Sequence, residues 1–248
     1  MSKNELPASF QAERARAISF DAGFTLIEPW PPVGEVYADV ARLHGMHCDP
    51  DQLQKNFMRV YAEKLKRARQ AHRPDFNSSE DLAWRWWADI VIETFGRPFP
   101  DKVLDKIIHG CWERYGGTEG WRVYEDVFPA LESLQQAGLT MFVVSNADSR
   151  LFSAFEALGL EKYFKRIFVS SQTGYCKPDE RALLHACEEL GFPRNTVLHI
   201  GDSPEMDLEA ARRAGMECVI INRDAGNEDG KNYGTIKSLN HLPEILSI

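Results

Sequence analysis

The chain has no long hydrophobic run. Nothing in its 248 residues approaches the ~20 consecutive apolar residues of a membrane-spanning helix. The opening MSKNELPASFQAER lacks the apolar centre of a signal peptide. Basic residues are in the minority, 29 Lys and Arg against 37 Asp and Glu, so the formal net charge is −8 and the pI about 5.4. This excludes a general attraction for nucleic acid or an anionic membrane, and any phosphate bound must be handled locally, by a metal, a lysine or backbone amides. Cysteine is sparse. Cys48, Cys111, Cys176, Cys187 and Cys218 are odd in number, widely scattered and without C-x-x-C spacing, so neither a disulfide framework nor a zinc site is expected. Cys176 stands beside Lys177, a setting that can lower a thiol pKa, although a plain loop residue is the simpler reading. Repeats and low-complexity tracts are also missing. These absences lead to the expectation of a cytoplasmic protein that engages neither nucleic acid nor membrane.

What is present is an α/β pattern. The stretch ISFDAGFTL reads as a buried strand, Ala17 to Phe20, that stops at Asp21 and passes at once into a small-residue turn and Thr25. EPWPPVGE, from Glu28 to Glu35, carries three prolines that argue against helix and central strand, and reads as a stiff linker. From Val36 to about Tyr115 the apolar residues follow the helical period, with Ser79 as a cap for the segment containing LAWRWWADIVIETF. Trp84, Trp87, Ile90, Val91 and Phe95 share one face and are expected to form the core of that helical unit. Trp86 lies off the stripe, in a substrate cleft or, more simply, at an interface with the rest of the chain. GGTEGW, Gly116 to Trp121, reads as the return linker and hinge. Beyond it, helices and short apolar strands alternate, which implies a parallel sheet with right-handed crossovers. The expected division is residues 1–14 as a flexible N-terminus, 15–32 with 117–248 as an α/β core, and 33–116 as an inserted all-α unit.

Four polar sites fall at or just after the carboxyl ends of expected strands: Asp21, Ser145 with Asn146, Lys177, and Asp202. In a parallel sheet those ends lie on one edge, so residues distant in sequence converge on one crevice. Asp21 is a candidate nucleophile, or else an acid that caps a turn. Asp202 and Asp207, in GDSPEMD, suit Mg²⁺, a hard cation that prefers carboxylates, carbonyls and water; alternatively they are a turn residue and a helix-start charge. Lys177 can neutralise an anionic substrate and nearby carboxylates, or sit at the surface. Ser145 and Asn146 can offer a hydroxyl, an amide and backbone N–H groups to phosphate oxygens, or form a simple turn.

Taken in order, FDAGFTL, VVSNAD, CKPD and IGDSPEMD resemble the motif set of the haloacid dehalogenase-like hydrolase superfamily. The resemblance implies a Rossmann-like parallel sheet core with an inserted all-α cap of the C1 type. It implies that Asp21 is the nucleophile, forming an aspartyl-phosphate, and that Ser145 and Lys177, with Asn146 and Thr25, hold the phosphoryl group of a small phosphorylated substrate. It also implies that Asp21, the Gly23 carbonyl and Asp202 ligate Mg²⁺, with Asp207 close behind. One departure stands out. Phosphatases of the superfamily carry a second aspartate two residues after the nucleophile, as general acid and base, and here that position is Gly23; Phe24 also stands where a small residue is usual. Loss of general acid–base catalysis costs ~10² to 10⁴ in rate. Three readings follow. The first is a Mg²⁺-dependent phosphohydrolase with a substitute acid such as Glu28, Glu35, His44 or His47, or with a preference for good leaving groups. The second is an enzyme of carbon–halogen or carbon–phosphorus cleavage, although residues Ala22 to Ala41 contain no Arg or Lys to grip a substrate carboxylate. The third is a non-catalytic protein that keeps the pocket for binding or acts through protein contacts.

Overall fold

The computed structural model describes residues 15–70, 75–96, 99–223 and 234–248, so the expected flexible segment 1–14 lies outside the described residues. The chain begins with β1 (Ala17–Phe20), passes through β2 (Ile27–Pro29), and then forms four helices, α1 (Val33–Leu43), α2 (Pro50–Gln70), α3 (Glu80–Phe95) and α4 (Asp101–Arg114). β3 (Trp121–Val123) brings it back. There follow α5 (Val127–Gln136), β4 (Thr140–Ser145), α6 (Arg150–Ala157), β5 (Ile167–Val169), α7 (Ser170–Thr173) and α8 (Arg181–Leu190). The chain ends with β6 (Val197–Gly201), α9 (Glu209–Ala214), β7 (Glu217–Ile221), β8 (Gly234–Ile236) and α10 (Leu242–Leu246).

Six strands pair in the order β5-β4-β1-β6-β7-β8, every pair parallel. This is the Rossmann-like α/β core expected from the alternating pattern. Its strands are buried on both faces, as a parallel sheet requires. Alternate side chains go to opposite faces: Ile18, Phe20, Met141 and Val143 join the cluster beneath α5 and α6, whereas Ala17, Phe142 and Val144 join the one beneath α8 and α9. The order places β1 between β4 and β6, with Phe20 level with both Val143 and Ile200. The chain after β1 therefore emerges between the ends of β4 and β6, where open α/β sheets bind their ligands.

Helices α1 to α4 bury a cluster of their own. Tyr37 is its centre, stacked on Phe95 at 5.9 Å and edge-on to Phe57 and Trp87 at 6.1 and 6.5 Å. Ser79 caps α3 as expected, its Oγ accepting from Leu82 N at 3.2 Å. Ile90, Val91 and Phe95 are buried in the cluster, and Trp84 and Trp87 pack against it, Trp84 also meeting His109 and Trp112 at 4.7 and 4.9 Å.

The prolines were misread in one respect. Ile27–Pro29 pairs antiparallel with Trp121–Val123 in a two-stranded ribbon, and α1 starts at Val33, inside the expected linker. A ribbon strand has a free edge, so Pro29 needs no N–H there, and Pro32 sits at the N-cap of α1, where a missing donor costs nothing. The return segment is likewise structured, with a short turn at Thr118–Gly120 before β3. Ser170 and Ser171 open α7 directly after β5.

Candidate active site

Each acidic residue of the site is positioned by a local backbone need. Asp21 follows β1 directly, its N–H donating to Ile200 O at 2.8 Å. The next residues fold back on themselves: Leu26 and Ile27 N–H groups both donate to Ala22 O, and Phe24 N–H donates to Ile27 O at 2.7 Å. This return puts Phe24 in the left-handed region, φ 57°, a conformation that costs a side-chain-bearing residue about 1–2 kcal/mol. Asp202 follows β6. Asp207 lies in a π-helical turn, Pro204–Leu208, capped by Ser203, and its carboxylate packs directly on Gly201. Any side chain at 201 would overlap that carboxylate, which is the physical reason for glycine before Asp202.

Lys177 ties the acids together. Its ammonium is buried and donates to Asp21 Oδ1 at 2.8 Å, Asp207 Oδ1 at 2.6 Å and Val144 O at 2.8 Å. Burial alone would lower its pKa; the charges of Asp207 and Asp21 overcome this and hold it above the ordinary lysine range. Asp207 is equally buried, yet the Lys177 charge and the His199 hydrogen bond bring its carboxyl below the usual range. Asp202 behaves the opposite way. Burial, with Asp207 and Asp21 as like charges beside it, pushes its carboxyl up to about 8. Carboxylate oxygens of Asp21, Asp202 and Asp207 lie within 4.8 Å of one another. That set fits a small hard cation: one lysine compensates two acids and leaves Asp202 without a positive partner of its own. Asp207 is already occupied, since Oδ1 receives Lys177 and His199 and Oδ2 receives Ser203 N–H at 2.9 Å.

The other expected residues divide. Ser145 and Gly23 line the same cavity as Asp21, Lys177 and Asp202. Asn146 also lines it, but its side chain is spent on the lysine: Oδ1 accepts Lys177 N–H at 2.7 Å and Nδ2 donates to Lys177 O at 2.8 Å. Thr25 is not brought to the cavity wall; it is fully buried, and its carbonyl accepts from Arg223 Nη2 at 2.7 Å. None of the four suggested substitute acids reaches the wall. Glu28 pairs with Arg122 at 2.5 Å on the ribbon, Glu35 and His47 line a separate depression beside Asp51, and His44 closes α1. Cys176 is buried, and burial pushes its thiol pKa up rather than down.

Two features escaped the sequence reading. Ser19 and His199 are polar residues in the interior of core strands, and together they back up Asp207; a His inside an apolar strand was the available signal. The second is a set of contacts from the start of α3 to the core. Asn77 Nδ2 donates to Asn146 O at 2.9 Å, and Glu80 accepts from Ser149 N–H at 3.0 Å and Ser171 Oγ at 2.6 Å. Trp86 lines the cavity at the junction between helices and sheet.

A family model described as haloacid dehalogenase-like hydrolase matches residues 15–215. The chain belongs to the haloacid dehalogenase-like hydrolases. Among relatives of this hydrolase family, haloacid dehalogenase-like hydrolase domain-containing protein 3 of Danio rerio is 29% identical, covering 93% of this chain and 96% of that protein. The Mus musculus protein of the same name is 31% identical, covering 86% and 83%. Among solved structures, the putative HAD-hydrolase YfnB of Bacillus subtilis, described as bound to magnesium, superposes with a TM-score of 0.70 at 21% identity, covering 95% of this chain and all of that one. No helix among the described residues is long and apolar enough to cross a membrane.

Proposed function

We propose that this hydrolase is a Mg²⁺-dependent phosphohydrolase of a small phosphorylated molecule, working through an aspartyl-phosphate on Asp21. The observation that carries the reading is the arrangement of Asp21 and Asp202 around a lysine already committed to Asp207. Asp21, the Gly23 carbonyl and Asp202 would hold the cation, with Asp207 orienting Lys177 from behind. The cation would supply charge neutralisation for the phosphoryl oxygens.

The chain's own groups do the rest. Lys177 offsets the charge of the incoming phosphoryl group, so that one anion can approach another. The Asp21 carboxylate attacks phosphorus, and the ester oxygen leaves with the bonding electron pair. Ser145, at the end of β4, is in position to donate to a phosphoryl oxygen. Water then attacks the acyl phosphate and releases inorganic phosphate. With glycine at 23, that position offers the leaving oxygen no carboxylic acid, so substrates whose leaving group departs without a proton are favoured. A haloacid carboxylate finds little to bind it: Arg150, the guanidinium on the described cavity wall, is held by Asp148 at 2.8 Å and by Trp112 O at 2.9 Å.

The test is a time course of phosphate release from 4-nitrophenyl phosphate and acetyl phosphate, with and without Mg²⁺, with Asp21→Asn as the blank. Multiple Mg²⁺-dependent turnovers that vanish in the variant support the reading. No release above the blank from either compound rejects it.

A further inference from the structure

The cavity above Asp21 is about 290 Å³ in volume and lies between the sheet edge and helices α2 and α3. Its two ends differ in chemistry. At the sheet edge are the acids and Lys177. The opposite wall is built of rings, with Phe57, Tyr61, Phe76, Trp86 and Trp87 among its members. Trp86 is fixed in that wall by Tyr61 and Phe76, at 5.8 and 5.0 Å between ring centroids. Away from the acids, the charged side chains on the described wall are Asp148 and Arg150, and these neutralise each other. A polyol, a sugar or a second phosphate would lose its water there against a mainly apolar wall.

Two polar atoms of the same wall residues are left over. Tyr115 Oη and Trp87 Nε1 are buried and have no hydrogen-bond partner among the described residues. Neither atom has accessible surface, so neither is offered to a bound molecule. Size is also informative. A dry apolar cavity of about 150 Å³ holds a benzene ring, so the volume here suits one substituted ring or two fused rings, with the phosphoryl group at the acidic end.

We propose that the molecule recognised here is the phosphate monoester of a phenol or other flat aromatic hydroxyl compound, its ring seated against Trp86. This rests on the phosphohydrolase reading for its chemistry and explains how that chemistry proceeds with glycine at 23. The Asp21–phosphorus bond forms as the phosphorus–oxygen bond to the ring breaks. The electron pair leaves on the phenolate, which is stable without a proton from the protein, and water later supplies oxygen to phosphorus and a proton to the products. An alkyl alkoxide has no such stability.

Non-hydrolysable phosphonates separate recognition from turnover. Titration calorimetry of the full-length protein with Mg²⁺ is expected to show phenylphosphonate binding at least tenfold tighter than methylphosphonate. In Trp86→Ala the phenyl-to-methyl ratio should fall below threefold. Should the alanine variant not fold, the wild-type comparison alone decides. Equal affinity for the two phosphonates, or binding of neither, overturns the inference even if acetyl phosphate is hydrolysed. Failure to hydrolyse any phosphate compound rejects the phosphohydrolase reading and leaves the phosphonate comparison valid.

Discussion

His199 Nε2 lies 3.1 Å from Asp207 Oδ1, and the other ring nitrogen meets Ser19 Oγ at 2.8 Å. Because Asp207 accepts, the network assigns the hydrogen to Nε2, and Nδ1 of the neutral ring accepts from the serine hydroxyl. The strand interior thereby braces the carboxylate that in turn holds Lys177. His199→Phe fills similar space but strips Asp207 of a partner in a buried setting. Its expected cost is about 1–3 kcal/mol of stability, read from urea denaturation, together with weaker phosphate release. A variant as stable as the parent would show that this hydrogen bond contributes nothing.

Gly23 has room for more. A Cβ built there meets nothing within 4 Å, and its backbone is not in the left-handed region. Gly23→Asp is therefore expected to fold normally and to raise turnover of an alkyl phosphate by about 10²-fold. Acetyl phosphate, whose carboxylate leaves unaided, should gain less. Steady-state kinetics on the two compounds checks this, and equal gains would disprove the missing-acid account.

Asp202 sets a pH dependence. Its folded-state pKa of about 8, against an ordinary value of 3.8, means that the folded protein keeps a proton the unfolded chain has lost. In that window the unfolded state binds fewer protons, so the stability of the metal-free protein falls as pH rises from about 4 to about 8. A cation that occupies the site must displace this proton. The rise in melting temperature caused by a fixed Mg²⁺ concentration should therefore be larger at about pH 8.5 than at about pH 6, by differential scanning fluorimetry. An increment independent of pH would contradict it.

Glu80 fastens the start of α3 to the core through Ser149 and Ser171. Glu80→Ala removes these bonds at an exposed edge, where each is worth about 0.5–1.5 kcal/mol. Amide exchange around residues 76–80 should quicken, and kcat/KM should fall about 3- to 10-fold. Unchanged exchange would mean that the ring contacts hold the helix in place without it.

The residues that the sequence made legible are those whose position follows from strand order. Asp21, Ser145 and Asp202 sit at strand ends, and apolar runs broken by a polar residue reveal strand ends without any knowledge of tertiary contacts. Lys177 was legible as a site but not as a buried one, because its burial depends on Asp207, a partner 30 positions away that no local pattern supplies. Asn146 shows the same limit: its residue type suggested a phosphate ligand, whereas both ends of its amide are spent on Lys177. The ribbon was hidden for another reason. Proline statistics describe central strands, and Pro29 belongs to a pair with open edges. The aromatic wall was half visible, since a helical period separates buried from exposed faces but does not tell a packed core from a cavity lining.

That ribbon has a consequence for the architecture's history. Ile27 faces Val123 and Pro29 faces Trp121, so the points where the chain leaves and re-enters the sheet are neighbours, about 5 Å apart. Between them, α1 to α4 bury a cluster of their own, and a tight turn of a few residues would span the gap between the two strands. Exchange of that segment, in evolution or by design, would leave the strand order and the acidic residues in place.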